Sequence, residues 1–314
     1  MKTIPRARPE PNTENLARES KRAVPDTATE GIADSDYLPA ERFQADWGSI
    51  VLPQDMKLRL ARQTIAGIHL RGAVARGALP LHGITLLTGP PGVGKTTLAR
   101  GLANQIAKSF PTRDWVYVEL DPHGLASASL GRSQRAVETL FSQTLREIAL
   151  QGPTVVLIDE VETLATSRAD LSMDANPIDV HRAVDAALVG LDRLAEEFGD
   201  LVILATSNFE GSLDTAFISR ADVVLRVPLP DLEARFTILS DSTSQVMTAF
   251  PGSTIGATLE LLRRAAELSE GMDARRLRKA VADACSWNPK GHGNPAVSTA
   301  ADLLAVLAEL GAVQ

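Results

Sequence analysis

The chain has 314 residues, enough for a full core and one or two domains. Its apolar fraction of 44% is ordinary for a globular protein, and a net charge of −7 argues against a wholesale electrostatic grip on nucleic acid. The single cysteine, Cys285, excludes an intrachain disulfide and a cysteine-rich metal site and fits a reducing cytoplasm, while no apolar run reaches membrane-spanning length and no apolar signal region opens the chain.

Residues 1–45 are polar, mixed in charge and dotted with prolines from Pro5 to Pro39. No period of 2 or 3.6 lasts there, which predicts a disordered or partner-binding tail with a short helix at Thr13–Ala23. Order is expected to begin near Trp47–Val51. A helix follows from Pro53 to about Gly72, with Met56, Leu60, Ile65 and Ile68 among its apolar positions. Pro80 and Gly83 punctuate the loop before the apolar strand Ile84–Leu87, and a helix opens at Thr97.

Between that strand and helix lies Gly89-Pro90-Pro91-Gly92-Val93-Gly94-Lys95-Thr96, which fits G-x-x-x-x-G-K-[ST] at every fixed position. Strand, glycine loop and helix are the context a phosphate-binding loop needs. Glycines let backbone N–H groups curl around phosphate oxygens, and the helix N-terminus adds partial positive charge. Lys95 is placed to reach the β- and γ-phosphates of ATP, and the Thr96 hydroxyl to ligate Mg²⁺.

A second strand, Trp115–Leu120, is followed by a loop, Asp121–Gly131, and a helix from Ser133 to Leu150. Gly152-Pro153 ends that helix. Thr154–Ile158 is a continuous apolar run of the kind buried on both faces, and it delivers Asp159-Glu160. A polar stretch, Thr163–Asp179, reads as a loop and Val180–Phe198 as a helix. Leu201–Thr206 is the next apolar strand, ending in Ser207-Asn208, and Asp222–Val227 is the last. Apolar strands alternating with helices predict a parallel sheet covered on both faces. After Pro228 and Pro230 the pattern is purely helical, at Asp231–Thr248, Thr258–Ser269, Asp273–Ser286 and Thr299–Leu310.

Asp159 and Glu160 sit where a strand end would carry them beside the phosphate loop. Asp159 suits an Mg²⁺ held through water and Glu160 a base that polarises the attacking water, the alternative for either being a cap on the next helix. Asn208, at the end of the neighbouring strand, can orient that water or sense the γ-phosphate, or simply form a turn. Arg220 precedes the last strand and suits charge stabilisation across a subunit interface, its alternative being a surface pair with Asp222. Arg275-Arg276-Leu277-Arg278-Lys279 reads as a solvated helix face, a nucleic-acid contact, or a helix that points Arg275 at the nucleotide.

These motifs together resemble an AAA+ ATPase over residues 46 to the C-terminus. Gly89–Thr96 matches Walker A, Val155–Glu160 Walker B, Asn208 sensor 1, Arg220 the arginine finger and Arg275 sensor 2. The resemblance implies an α/β fold: a P-loop αβα domain at 46–230 with a five-stranded parallel sheet, then a small all-helical lid at 231–314. Gly89, Pro91, Gly92, Val93, Gly94, Lys95, Thr96 and Thr97 would contact ATP with Arg275, and Thr96 and Asp159 would hold Mg²⁺.

Within that family the chain is most similar to the pachytene checkpoint protein 2 / thyroid-receptor-interacting protein 13 branch, which remodels HORMA-domain proteins. Trp47–Val51, Leu157–Leu164, Ala205–Asn208, Asp214–Asp222 and Ser269–Lys279 carry the match, above all Ala216-Phe217-Ile218-Ser219-Arg220-Ala221-Asp222. Many relatives instead place arginines around a Pro-Gly at this point. Leu130 stands where the branch has an aromatic pore-loop residue, which implies an aliphatic contact with a threaded client. Residues 1–45 are shorter and more polar than the adaptor-binding domain of eukaryotic members and resemble the short bacterial form. That form accompanies HORMA proteins and cyclic-oligonucleotide synthases (CD-NTases) in anti-phage CBASS systems. The resemblance thus implies a cytoplasmic homo-hexamer that hydrolyses ATP to remodel a HORMA protein bound to its synthase. The competing expectations are a DNA-linked loader-type ATPase and a nucleotide-gated scaffold.

Overall fold

The structure, a computed structural model, describes residues 24–121, 132–163, 177–208, 213–287 and 292–312. Leu130 and the 164–176 part of the polar stretch lie outside the described residues. Six strands form one sheet: β1 Ile32–Leu38, β2 Ile84–Thr88, β3 Trp115–Leu120, β4 Thr154–Ile158, β5 Leu201–Ser207 and β6 Ala221–Arg226. Their order is β1-β3-β4-β5-β2-β6; the last five are parallel and β1 runs antiparallel to β3.

Neither face of β2, β4 and β5 meets water, which is why their sequences are mostly apolar, whereas the edge strand β6 exposes Val224 and Arg226. Alternate residues serve opposite layers. Ile84, Leu86, Val116, Val118, Val156, Ile158 and Ile203 face one core, which takes Val137, Phe141, Leu145 and Leu191 from the helices α4 Arg132–Thr139, α5 Leu145–Leu150 and α6 Pro177–Glu197 and the turn between α4 and α5. Leu87, Trp115, Tyr117, Val155, Leu157, Val202 and Leu204 face the other, packed on Leu60, Ile68, Leu98, Leu102 and Ile106. Those come from α2 Gln54–Ala73 and α3 Lys95–Ser109, which follow the short α1 Asp46–Ser49. In α2 the buried positions are Lys57, Leu60, Thr64 and Ile68, spaced to make one helical face.

After the short helix α7 Thr215–Ile218 and β6, the helices α8 Leu232–Ala249, α9 Leu259–Leu268, α10 Ala274–Trp287 and α11 Ala300–Ala312 enclose their own core around Leu239, Leu262, Leu277, Val281, Leu303 and Leu307. No helix among the described residues is long and apolar enough to cross a membrane.

Three expectations need correction. The sheet has a sixth strand, β1, inside the stretch expected to be a tail. Its buried residues are Ile32 and Leu38 at the two ends, while Asp34 and Asp36 between them pair with Arg42 at 2.6 and 2.8 Å. An edge strand carrying carboxylates shows no apolar alternation and resists pairing with other chains. The helix expected at Ser133–Leu150 contains a π turn, Leu140–Thr144, where Phe141 lies against Gly190. Finally, α6 begins at Pro177 rather than Val180, proline being well suited to a first helical position.

Asn104 of α3 secures the segment after β1. Fully buried, it accepts the Ala40 N–H and donates to the Ala40 carbonyl, both at 2.8 Å. Replacing it by alanine strips two buried backbone groups of their partners. Asn104→Ala should destabilise the protein by about 2 kcal/mol in chemical denaturation and speed tryptic cleavage after Arg42.

Candidate active site

Parallel register assembles the site. Ile158 pairs with Ala205, and Thr88 with Ser207, so β4, β5 and β2 end at one edge of the sheet. The residues just beyond those ends are therefore neighbours: Gly89 after β2, Asp159 after β4 and Asn208 after β5. Ligands of open α/β sheets bind at this edge.

The loop Gly89–Thr96 turns from β2 into α3. Gly92 and Gly94 have φ of 81° and 94°, and Gly94 forms the N-cap of α3. A Cβ at Gly92 would run into the Asp273 carboxylate, and one at Gly94 into the Ile50 side chain. Only glycine fits both the conformation and the space. Pro91 is exposed on the loop, whereas Val93 is buried and anchors it to the α2–α3 core.

Lys95 is buried, and its ammonium donates to the Gly89 and Pro90 carbonyls and to Asn208 Oδ1, each at 2.8 Å. Burial pushes its pKa below the ordinary lysine value. Nearby Arg275 acts in the same direction, and the carboxylates of Glu162, Asp159 and Glu160 oppose it. An anion arriving at the ammonium would offset the desolvation.

Asp159 Oδ1 accepts the Thr96 hydroxyl at 2.8 Å and also the Thr206 hydroxyl. Thr206 Oγ1 in turn accepts the Glu160 N–H at 3.1 Å. Glu160 has a φ of 52°, rare for a side chain larger than glycine and a conformation that clusters at functional sites. Asn208 joins the two halves of the site, since its Oδ1 takes Lys95 while its Nδ2 donates to Glu160 Oε1 at 3.1 Å. The Asn208 N–H donates to Glu162 Oε1 at 3.0 Å.

Among the described residues no cluster of three or more acidic, histidine or cysteine side chains could cage a metal. One hydroxyl and one carboxylate, Thr96 and Asp159, suit an ion such as Mg²⁺, which keeps several waters and takes other ligands from phosphate.

The helical C-terminal part closes over the loop. Asp273 caps α10 by accepting the N–H groups of Arg275 and Arg276 at 2.9 Å, and the Arg275 N–H also donates to Gly92 O at 3.1 Å. A cleft of about 490 Å³ opens here, lined by Ile50, Gly94, Thr97, Arg275, Arg278 and Lys279. The basic run at the start of α10 thus borders the phosphate loop.

Arg220 joins none of these bonds. It grips Asp192 of α6 through Nε at 2.8 Å and Nη2 at 2.7 Å, and Nη1 donates to Ala216 O at 2.7 Å. The expected alternative partner, Asp222, instead accepts the N–H groups of His82 and Gly83. Thr206, Glu162, Asp273 and Asp192 are site residues that the sequence motifs did not single out. Thr206 alone left a trace there, as a hydroxyl at the end of an otherwise apolar strand.

Together these groups make a phosphate loop, a carboxylate beside its threonine and a polar bridge to a second carboxylate, the equipment of a P-loop nucleoside triphosphatase. The family model for the "ATPase family associated with various cellular activities (AAA)" matches residues 85–229. CD-NTase-associated protein 6 of Pseudomonas aeruginosa is 47% identical over 264 residues, which is 84% of this chain and 87% of that protein. The pachytene checkpoint protein 2 homolog of Oryza sativa subsp. indica is 31% identical over 77% of this chain, which spans only 58% of that protein's length. The solved structure of C. elegans PCH-2 superposes with a TM-score of 0.73 at 25% identity, over 89% of this chain and 74% of that one. The Trip13-containing structure from E. coli MS115-1, an assembly with HORMA and CdnC, gives the same TM-score at 20% identity, over 91% of this chain and 97% of that one, a likeness of fold.

The chain belongs to the AAA ATPase family, in the branch of CD-NTase-associated protein 6 and pachytene checkpoint protein 2. It is a nucleotide-binding ATPase.

Thr206→Val keeps the shape of the strand end but removes the hydroxyl between Asp159 and Glu160. ATPase turnover should fall about tenfold to a hundredfold, with a weaker apparent Mg²⁺ affinity in a metal titration and a stability loss of only about 1 kcal/mol in chemical denaturation.

Proposed function

We propose that this ATPase hydrolyses ATP between the subunits of a hexameric ring in the cytoplasm, and uses the stroke to open a HORMA-domain protein and release it from a cyclic-oligonucleotide synthase. The observation that carries the client assignment is the 47% identity with CD-NTase-associated protein 6 along 84% of the chain. The E. coli assembly of a HORMA protein, CdnC and Trip13 supplies a fold-level parallel.

The residues divide the work. Backbone N–H groups from Gly92 to Thr97, together with Lys95, hold the phosphates. Thr96 and Asp159 would hold Mg²⁺, which when bound would supply positive charge to the phosphates. Glu160 polarises the attacking water, and Asn208 steadies Glu160 through the bond at 3.1 Å. A γ-phosphate competes with Asn208 for the Lys95 ammonium, so its presence is registered at Asn208 and passed to Glu160. Arg220 of the adjoining subunit supplies positive charge at the γ-phosphate. Arg275 reports the nucleotide to the helical part at 231–314, whose α10 is tied to Gly92. That part then moves against the sheet part at 46–230. Leu130 contacts the threaded client segment. The cleft-lining position of Arg275, Arg278 and Lys279 supports a nucleotide role for this basic run over a DNA surface.

Glu160→Gln should retain ATP binding, followed with a fluorescent analogue, and lose at least about a hundredfold in turnover. Wild-type turnover would remove Glu160 from its role. For the client, the purified ATPase is mixed with a preformed complex of HORMA protein and synthase. ATP should free the synthase in size-exclusion chromatography with the wild type and not with Glu160→Gln. A complex that stays intact with both would sink the client assignment.

A further inference from the structure

Arg220 is the one site residue whose surroundings the motifs leave unexplained. A guanidinium carries five N–H donors in a fixed plane. Asp192 takes two of them side-on, at Nε and Nη2, and the Ala216 carbonyl takes one at Nη1. Two N–H groups remain, one on each Nη, among the described residues. A pair of parallel donors matches two oxygens of a phosphoryl group. The Arg220 side chain keeps 23% of its surface exposed.

Asp192 is itself braced. His82 Nε2 lies 3.4 Å from its carboxylate, and its backbone carbonyl accepts Arg76 Nη1 at 3.2 Å. His82 is fixed in turn, since its N–H and that of Gly83 donate to Asp222. Asp222 lies two residues beyond Arg220. The carboxylate bond holds the Asp192 pKa below the usual range and the Arg220 pKa above its own, so both stay charged at neutral pH. A long, flexible side chain is thereby held in one posture before any neighbour arrives, and the entropy of ordering it is not charged to the transition state.

We propose that Asp192 is a positioning residue: it presets the guanidinium of Arg220 for the γ-phosphate bound by the next subunit. The inference rests on the trans role given to Arg220 above. An apolar or absent side chain at position 192 leaves the arginine in place but unsteered, so the loss appears in kcat and not in ATP affinity.

The test uses the full chain at concentrations where it assembles, checked by light scattering. Arg220→Ala should lower kcat about a thousandfold, the lower end of what such arginines contribute. Asp192→Ala should lower kcat about tenfold to thirtyfold, with the KM for ATP, the assembly state and the unfolding midpoint unchanged. Asp192→Asn, which keeps one acceptor, should recover part of the loss. Added to Arg220→Ala, Asp192→Ala should have no further effect. Mixing Asp192→Ala with Glu160→Gln subunits should raise activity above the sum of the two alone, because each wild-type Arg220–Asp192 pair can then serve an intact neighbouring site. If Arg220→Ala is impaired and Asp192→Ala is not, the trans role stands and the positioning role fails. The positioning role fails as well if Asp192→Ala is equally damaging in the Arg220→Ala background. If Arg220→Ala turns over normally while assembled, the trans role fails and this inference with it.

Discussion

One oxygen of the Asp159 carboxylate accepts from two threonines, Thr96 at the start of α3 and Thr206 at the end of β5. These bonds fasten together the ends of three parallel strands: β2 through the helix that follows it, β4 directly, and β5. The polar contacts around Glu160 and Asn208 are built on that fastening. Glu160 is held in its left-handed conformation by the same Thr206 hydroxyl, and Asn208 reaches both Lys95 and Glu160 because β5 lies between β2 and β4. The buried sheet supplies rigidity, and the three strand ends convert it into a fixed spacing between the phosphate loop and the carboxylates. A displacement of about 1 Å at such a spacing costs orders of magnitude in rate, which accounts for a site built on strand ends rather than on long loops.

The segment Trp47–Ile50 ties that rigid edge to the helical C-terminal part. The buried Lys57 ammonium donates to the Trp47 carbonyl and, at 3.0 Å, to that of Ile50. Burial lowers its pKa, and the carbonyls supply what water would otherwise give. Gly101 of α3 lets the Trp47 backbone come so close that any Cβ would clash. From the other side, Arg278 of α10 donates to Ser49 O at 3.1 Å. Ile50 touches Gly94, and Gly92 carries the Arg275 bond. One short stretch of chain thus contacts the sheet layer, the phosphate loop and α10. These contacts couple α10 to a backbone that α2 and α3 hold in place.

Much of this was legible in the sequence because the physics is local. The central strands β2, β4 and β5 are mostly apolar runs, as a strand buried on both faces must be. The phosphate loop needs glycines at set positions, and Asp159 and Asn208 are betrayed by their place directly after such strands. What was not legible depends on partners far away in the chain. β1 hides because Asp34 and Asp36 are neutralised by Arg42, and an edge strand can carry charge that a central one cannot. Asp273 is an ordinary helix cap by sequence, and only its approach to Gly92 makes it part of the loop. Arg220 was visible as a lone arginine before a strand, yet its nearest acid in sequence, Asp222, is turned toward His82 and Gly83, and Asp192 on α6 takes its place.

That exchange of partners has a physical logic. Asp222 follows Arg220 by two residues at the start of β6, and there it accepts two N–H groups from the turn before β2. A carboxylate already satisfied by backbone donors has little capacity left for a bidentate arginine. Asp192 comes from a helix whose backbone is pinned by Arg76, and it presents both oxygens in one plane. The arrangement separates two tasks, since Asp222 closes the turn that leads into β2 and Asp192 orients the cation. Had one acid served both, any shift of Arg220 toward a phosphate would loosen the turn beside the phosphate loop of its own subunit. With the acids divided, the orientation of Arg220 and the closure of that turn rest on different carboxylates.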